Sequence, residues 1–505
     1  MFSRVLSFGL QGIDCFPVSV EADIGEGMPV FELVGFLSGE VREARERVRT
    51  ALKNCGVALP VKRITVNLSP ASVRKQGTGF DLPVAVSILE AMGILDEAWT
   101  NETVFVGELQ ISGKIGGVSG VLPIVIAAKK HGAKRCIIPY DNLSEGSQVD
   151  GIKVYGIKTL PDVIDFLMGD MRAATQPPEG AGQEKKSDTF DFSMVHGQRM
   201  AKRGLEIAAA GNHNVIMVGE PGTGKTLLAK CVPSIMPPLT MEECLEVSAI
   251  YSIAGKLSEN HGLITERPFV QPHHTITDKA LSGGGTRANP GCVSLAHRGV
   301  LFLDEMPEFS RNALEILRQP LEDRCIHISR CGINVTYPSD VMLIGAMNPC
   351  PCGAYPNLNK CRCTEAMRRR YVSRISKPLL DRIDLCMEVS AMKYEELFLS
   401  ESEEPSSAIR ERVSRAHRIQ TERFADYPQI FFNAQMGIRE IEQFCRLTNK
   451  ASKLMTDSYN KLELSVRGYH KLLKVARTIA DLCEEECINE YHLAEALHYR
   501  MNMEG

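Results

Sequence analysis

The sequence predicts an α/β protein in three parts: an α+β front domain, a core on a parallel sheet, and an all-helical end. Strand-like and helix-like stretches alternate through the front of the chain. An apolar strand then runs into a Gly-rich turn and a helix over Asn214–Ala229. Past residue 391 or so only helical periodicity remains. The expected boundaries are 1–168 for the front domain, 169–191 for a flexible linker, 192–390 for the core and 391–505 for the helical lid.

A chain of 505 residues suits about two to four domains. Its 44% hydrophobic and 24% charged residues are ordinary for a soluble protein. A net charge of −4 excludes a global basic field, so any nucleic-acid site has to be local. Met1–Leu10 lacks a signal-peptide layout and no apolar run reaches spanning length, so the expectation is a cytoplasmic protein without membrane contact. Sixteen cysteines without a secretion signal fit a reducing compartment better than a disulfide framework.

In the front domain, Val18–Asp23 and Arg63–Leu68 alternate apolar and polar residues and read as strands. Gly39–Cys55 places Val41, Ala44, Val48 and Leu52 at helical spacing. Phe80–Met92 and Val121–His131 read as helices and Val104–Leu109 as a buried strand. The order Gly77-Thr-Gly-Phe-Asp-Leu-Pro83, Gly107-Glu-Leu109, Gly120-Val-Leu-Pro-Ile124 and Ala133–Pro139 resembles the proteolytic domain of Lon proteases, a ribosomal S5 domain 2-like fold. The resemblance lacks the chemistry. No serine stands in the Gly77–Asp81 stretch, and the segment that carries the family's lysine is shortened after Ile124. Without a nucleophile and its base there is no covalent catalysis. Thr78 as a replacement nucleophile is the alternative to Thr78 as a turn residue. The expectation is a Lon-like domain without a catalytic dyad, serving in assembly or in gripping a partner. Gly169–Asp191, rich in Pro, Gly, Ala, Gln and Lys, reads as a tether.

The core is organised around Gly219-Glu220-Pro221-Gly222-Thr223-Gly224-Lys225-Thr226. Backbone N–H groups at a helix N-terminus make a polyphosphate site, and glycines let the backbone close on it. Lys225 would reach the outer phosphates of ATP and Thr226 would hold Mg²⁺. Val300–Leu303 is an apolar strand ending in Asp304 and Glu305. Asp304 would hold Mg²⁺ through water, and Glu305 would orient or deprotonate the attacking water. A third strand, Val341–Met347, ends in Asn348, suited to hold that water from the γ-phosphate side. Pro378–Asp384 supplies Arg382, either a guanidinium for transition-state charge or half of a structural Arg–Asp pair.

Cys350, Cys352, Cys361 and Cys363 give C-x-C-x8-C-x-C. Four thiolates in an exposed Pro/Gly/Asn loop suit tetrahedral Zn²⁺; reduced, metal-free thiols are the alternative. The adjoining run Lys360, Arg362, Arg368, Arg369, Arg370 and Arg374 suggests phosphate-backbone contact. A solvated or inter-subunit face remains the other reading. Helical periodicity then recurs over 405–424, 438–447, 451–462, 465–483 and 489–499, with Ser465 and Asn489 as N-caps.

Taken together, the phosphate loop, the acid strand, Asn348–Gly353 and Pro378–Asp384 resemble an AAA+ ATPase of the magnesium-chelatase-like branch. With the front domain and the four cysteines, the full length resembles the ComM/YifB family. That resemblance implies a ring, a homo-oligomer expected to be a hexamer, with ATP between neighbours. Arg382 then acts as an arginine finger in trans, and Arg467 resembles the sensor 2 arginine. Leu281–Gly291 looks like the family's central-pore insertion, and Arg324–Tyr337 occupies the position of the pre-sensor 1 hairpin. Arg287, His327 and Arg330 become candidates for DNA contact. The implied function is a DNA motor for branch migration, helping single strands integrate during transformation or recombination. A chelatase-type or protein-remodelling motor is the rival, and a regulatory ATPase that only assembles is a third reading.

Overall fold

The computed structural model describes residues 1–173, 175, 190–257, 262–285, 288–330, 333–390 and 403–501. Most of the expected tether, the start of the lid at 391–402, and Arg287 lie outside the described residues. No described helix is long and apolar enough to cross a membrane.

The front of the chain forms a mixed seven-stranded sheet. Its strands are β1 (Phe2–Gln11), β2 (Asp14–Gly25), β3 (Val30–Val34), β4 (Arg63–Ser69), β5 (Thr103–Phe105), β8 (Arg135–Pro139) and β9 (Lys153–Ile157), ordered β3-β4-β2-β1-β5-β8-β9. Between β5 and β8 lies a two-stranded ribbon of β6 (Glu108–Leu109) and β7 (Ile115–Gly116). Val18, Val20, Ala22 and Ile24 of β2 are buried as period two requires. The helix Gly39–Asn54 buries Val41, Ala44, Val48 and Leu52. The helix Asp81–Ala91 is buried all round, Asp81 included, and the Arg47 guanidinium donates to both Asp81 oxygens at 2.7 and 2.9 Å.

Two features depart from the periodicity reading. The expected strand Val104–Leu109 breaks in two, because Gly107 leaves the sheet to exchange backbone hydrogen bonds with Gly79 and Leu82. β1 is a central strand that the pattern disguises. Its Ser3 and Ser7 are buried, their hydroxyls donating to the carbonyls of Ser87 and Phe105 at 2.6 and 2.9 Å. In the turn that resembles the Lon site, the Thr78 hydroxyl donates to Glu108, and the buried Lys75 amine donates to the Pro70 carbonyl.

The core is a five-stranded parallel sheet, ordered β11-β14-β17-β10-β18. Its strands are β10 (Val215–Val218), β11 (Phe269–Val270), β14 (Val300–Leu303), β17 (Met342–Met347) and β18 (Leu385–Glu388). β12 (Gly283–Gly284) and β13 (Asn289–Pro290) pair in the expected insertion, and β15 (Cys325–Arg330) and β16 (Ile333–Pro338) form the expected hairpin. Five longer helices follow: Ser406–Arg423, Ile438–Phe444, Asn449–Lys461, Val466–Leu482 and Glu490–Met501. Ser465 caps the fourth through Gly468, and Asn489 caps the fifth through Tyr491 and His492. Their apolar faces share one cluster with β10, β17 and β18, so the lid is packed on the core.

Among the described residues the front domain touches the core at two places. The β1–β2 turn sits on the hairpin, where Gln11 donates to the Asn334 carbonyl at 3.2 Å and Ile13 packs against the apolar cluster that includes Val335. Glu145 accepts from the Ser252 hydroxyl at 2.5 Å across the second contact, and burial, opposed by its hydrogen bonds, pushes its carboxyl above the usual range. Gly12 lies at φ +67, and a Cβ there would stand 2.8 Å from the Val335 Cβ. Gly12→Val is therefore expected to unseat the turn at a cost of about 1–3 kcal/mol. Amide exchange should then speed up about tenfold or more in β15 and β16 but not in β10; equal rates in all three would refute the contact.

Candidate active site

Three parallel strands bring the phosphate loop, the acids and the amide to one edge. Val218 pairs with Met347, and Leu303 with Gly345, so the residues that follow each strand emerge together. Gly219 donates its N–H to the Met347 carbonyl at 3.2 Å. A Cβ on Gly219 would lie 2.2 Å from the Val389 carbonyl oxygen, so only glycine passes there. Gly222 and Gly224 have φ of +80 and +90, the left-handed turn that opens the helix Lys225–Ile235.

Lys225 is buried, and its amine donates to the Gly219 and Glu220 carbonyls at 2.7 and 2.8 Å and lies 3.4 Å from Asn348 Oδ1. Burial lowers its pKa, opposed by the charges of Asp304 and Glu305. The Thr226 hydroxyl donates to Asp304 Oδ2 at 2.9 Å. A hydroxyl and a carboxylate so placed at the foot of the loop form a hard-oxygen pair of the kind Mg²⁺ takes. Glu305 stands at φ +50, and its carboxylate lies 3.7 Å from His274 Nδ1. His274 follows β11, the strand beside β14, and its ring stacks on His273 with centroids 4.1 Å apart.

The cysteine loop adjoins this edge directly. Cys350 lies two residues past Asn348, and a Cβ on Gly353 would meet the Pro221 ring at 2.6 Å. The four Sγ atoms lie within 4.8 Å of one another, with Cys350 3.4 Å from Cys352 and 3.7 Å from Cys361. Four thiolates at about 2.3 Å from one Zn²⁺ stand about 3.8 Å apart, so this donor set fits that ion. The Ala354 N–H, aided by neighbouring thiols, brings Cys352 down to about 6.

The basic run divides. Arg368 stacks on Tyr355 at 4.1 Å, Arg369 pairs with Glu365, and Arg374 pairs with Glu308 at 2.7 Å. Lys360, Arg362 and Arg370 are exposed. In the hairpin, His327 is also exposed, but its ring bonds Thr336 and Cys325 at 2.9 and 3.3 Å. The Arg330 side chain, like Arg287, lies outside the described residues.

Arg382 and Arg467 stand elsewhere. Both line a cavity of about 440 Å³ with Asn214, Val341 and Asp384, the residues that precede β10, β17 and β18. That is the edge of the parallel sheet opposite to the phosphate loop. Arg382 does not pair with Asp384, which is half-buried with His213 Nδ1 at 3.5 Å and Lys471 at 3.9 Å. Burial works against the Asp384 charge, but the His213 hydrogen bond and the Lys471 and Lys474 charges bring its pKa down to about 2. Arg382 donates to the Pro378 carbonyl at 2.7 Å and pairs with Glu322. Neither Glu322 nor His274 carries a signal in the sequence, since both partnerships form between segments that only the fold brings together.

Three family models match: magnesium chelatase, subunit ChlI, over residues 191–397; subunit ChlI of Mg-chelatase over 20–142; and the magnesium chelatase subunit ChlI C-terminal model over 403–500. Competence protein ComM of Haemophilus influenzae is 42% identical over 98% of this chain and 97% of its own. YifB of Escherichia coli is 40% identical over 97% of this chain and 95% of its own. Lon protease 2 of Bacillus subtilis is 31% identical over 24% of this chain and 22% of its own, a likeness of the front region. The chain belongs to the ComM/YifB family of magnesium-chelatase-like AAA+ ATPases.

Proposed function

We propose that the chain is an ATP-driven ring motor that moves branched or single-stranded DNA, a branch-migration helicase serving the integration of incoming strands. The observation that carries the ring is the division of the site. Lys225, Thr226, Asp304, Glu305 and Asn348 gather at one edge of the sheet, and Arg382 and Arg467 at the other. A protomer therefore cannot bring its own guanidiniums to its own loop, whereas head-to-tail packing, hexameric in this reading, closes each site.

In that site the Lys225 amine exchanges its two carbonyl partners for phosphate oxygens, and the loop N–H groups of Gly222–Thr226 hold the remainder. Thr226 and Asp304 would hold Mg²⁺, which would neutralise phosphate charge. Glu305 takes the proton of the attacking water, and Asn348 fixes that water from the far side. The neighbour's Arg382 and Arg467 stabilise charge as the terminal phosphoryl group leaves, worth about 10³–10⁵ in rate for such a finger. The DNA assignment rests on the name of the 42% identical relative, a competence protein, and on the exposed cations Lys360, Arg362 and Arg370 beside the cysteine loop. Four close thiols further support structural Zn²⁺ that fixes this loop.

Lys225→Ala is expected to weaken binding of a fluorescent ATP analogue at least about a hundredfold, by removing a buried charge from the phosphates. Glu305→Gln should bind as wild type and turn over about 10²–10⁴ times more slowly. Branched DNA should stimulate the wild-type ATPase, and the stimulation should fall steeply with salt; a chelatase-type or protein-remodelling motor would ignore DNA. Equal affinity in Lys225→Ala would remove the phosphate-loop assignment. Metal analysis of gel-filtered protein should find about one Zn²⁺ per chain, and Cys352→Ser/Cys361→Ser should lose it and become cleavable by protease within the loop. A metal-free wild type would leave the cluster as plain thiols.

A further inference from the structure

Arg382 can serve a neighbour's phosphate only if its guanidinium is aimed out of its own protomer. Its backbone is fixed: Asn214 Nδ2 donates to the Arg382 carbonyl at 2.9 Å, and Asn214 Oδ1 accepts from the Leu343 N–H at 2.9 Å. Its side chain is mostly buried, at 16% exposure, and Nε has no partner among the described residues. Two groups hold the far end. The Pro378 carbonyl accepts from Nη1 at 2.7 Å, and the Glu322 carboxylate accepts from Nη2. Pro378 belongs to Arg382's own turn and can only anchor it. Glu322 comes from the short helix Pro320–Asp323 and is 58% exposed, so its charge stands at the mouth of the cavity.

We propose that Glu322 is the positioning residue for Arg382: it draws the guanidinium to the mouth and holds the plane of the fork there. The proposal rests on Arg382 acting at a neighbour's nucleotide. The pair takes two of the five guanidinium N–H donors together with Pro378, leaving the outer N–H groups for phosphate. A long side chain whose buried Nε has no partner among the described residues loses this orientation if its one charged partner among them is neutralised. Helix Pro320–Asp323 also follows the acid strand in sequence, by way of the helix Arg311–Ile316. A protomer's own acids are thereby connected to the arginine it offers next door.

Glu322→Gln keeps the shape and removes the charge. The expected result is a kcat about ten- to a hundredfold lower for DNA-stimulated ATP hydrolysis, with KM and ATP-analogue binding unchanged, because the variant's own loop is intact. Glu322→Asp should recover part of the loss. On an Arg382→Ala background, Glu322→Gln should cost nothing further, as expected of two residues acting as one unit. Mixing Glu322→Gln with Lys225→Ala protein should restore activity, since one supplies good loops and the other good arginines; random mixing makes about a quarter of the interfaces competent. A raised KM with unchanged kcat, additive losses in the double variant, or no recovery on mixing while Arg382→Ala and Lys225→Ala do recover each other would overturn the role of Glu322. If Arg382→Ala and Lys225→Ala also fail to recover each other, the shared site itself is wrong and the inference falls with it.

Discussion

Everything at the site depends on the backbone register of three parallel strands. β10, β17 and β14 are hydrogen-bonded side by side so that Val218, Met347 and Leu303 end nearly level. A parallel sheet buried on both faces has little freedom to slip, because a one-residue shift turns every apolar side chain to the wrong face. Val215, Met217, Phe302, Ile344 and Ala346 are all buried in one cluster, and Ile216, Leu301, Leu303, Leu343 and Met347 in another. The two cores therefore fix the register from both sides. Gly219, Asp304 and Asn348 are carried to a common edge by apolar residues that take no part in chemistry.

Three charged groups at the two edges share a property. Lys225, Glu305 and Arg382 each rest on a partner within their own protomer. Lys225 is satisfied by two loop carbonyls, Glu305 faces His274, and Arg382 leans on Glu322. A buried charge without a partner costs several kcal/mol, so a protomer outside the ring needs such contacts. Loop carbonyls are neutral, and phosphate oxygens are not, so an ammonium released from them gains on meeting phosphate. Glu322 differs in being an anion already. It competes with phosphate for the same guanidinium, and it is exposed enough for water to screen part of that attraction. An orienting contact that is screened can yield a donor without a large loss.

The sequence made the phosphate loop, the acid strand, Asn348 and the cysteine cluster legible because each is a local pattern. Spacing within Gly219–Thr226 or Cys350–Cys363 is visible without knowing the fold. Helices whose apolar residues repeat cleanly, such as Gly39–Asn54, were legible for the same reason. β1 was not, because buried serines bonded to distant carbonyls look polar in sequence. The placement of Arg382 and Arg467 at the far edge was equally hidden. It follows from which end of each strand a residue stands at, and that is set by the parallel topology. His274 beside Glu305 required β11 to pair with β14, a contact of only two residue pairs between segments far apart in sequence.

The cysteine loop illustrates how a segment without regular structure can still support a precise site. Residues between Met347 and the helix Glu365–Val372 form no strand or helix, and Tyr355, Asn357, Leu358, Asn359 and Lys360 are exposed. So polar a stretch cannot bury enough apolar surface to order itself. Yet Asn348 begins it, Gly353 packs against Pro221 of the phosphate loop, and Tyr371 at its far end shares a hydrogen bond with the Asn348 backbone. Where a hydrophobic core is missing, four convergent thiols close the loop, the donor set that the proposed Zn²⁺ would take. Tied by the proposed Zn²⁺, the cysteines would bear on ATP chemistry without touching it, by holding the Asn348 amide that faces Lys225.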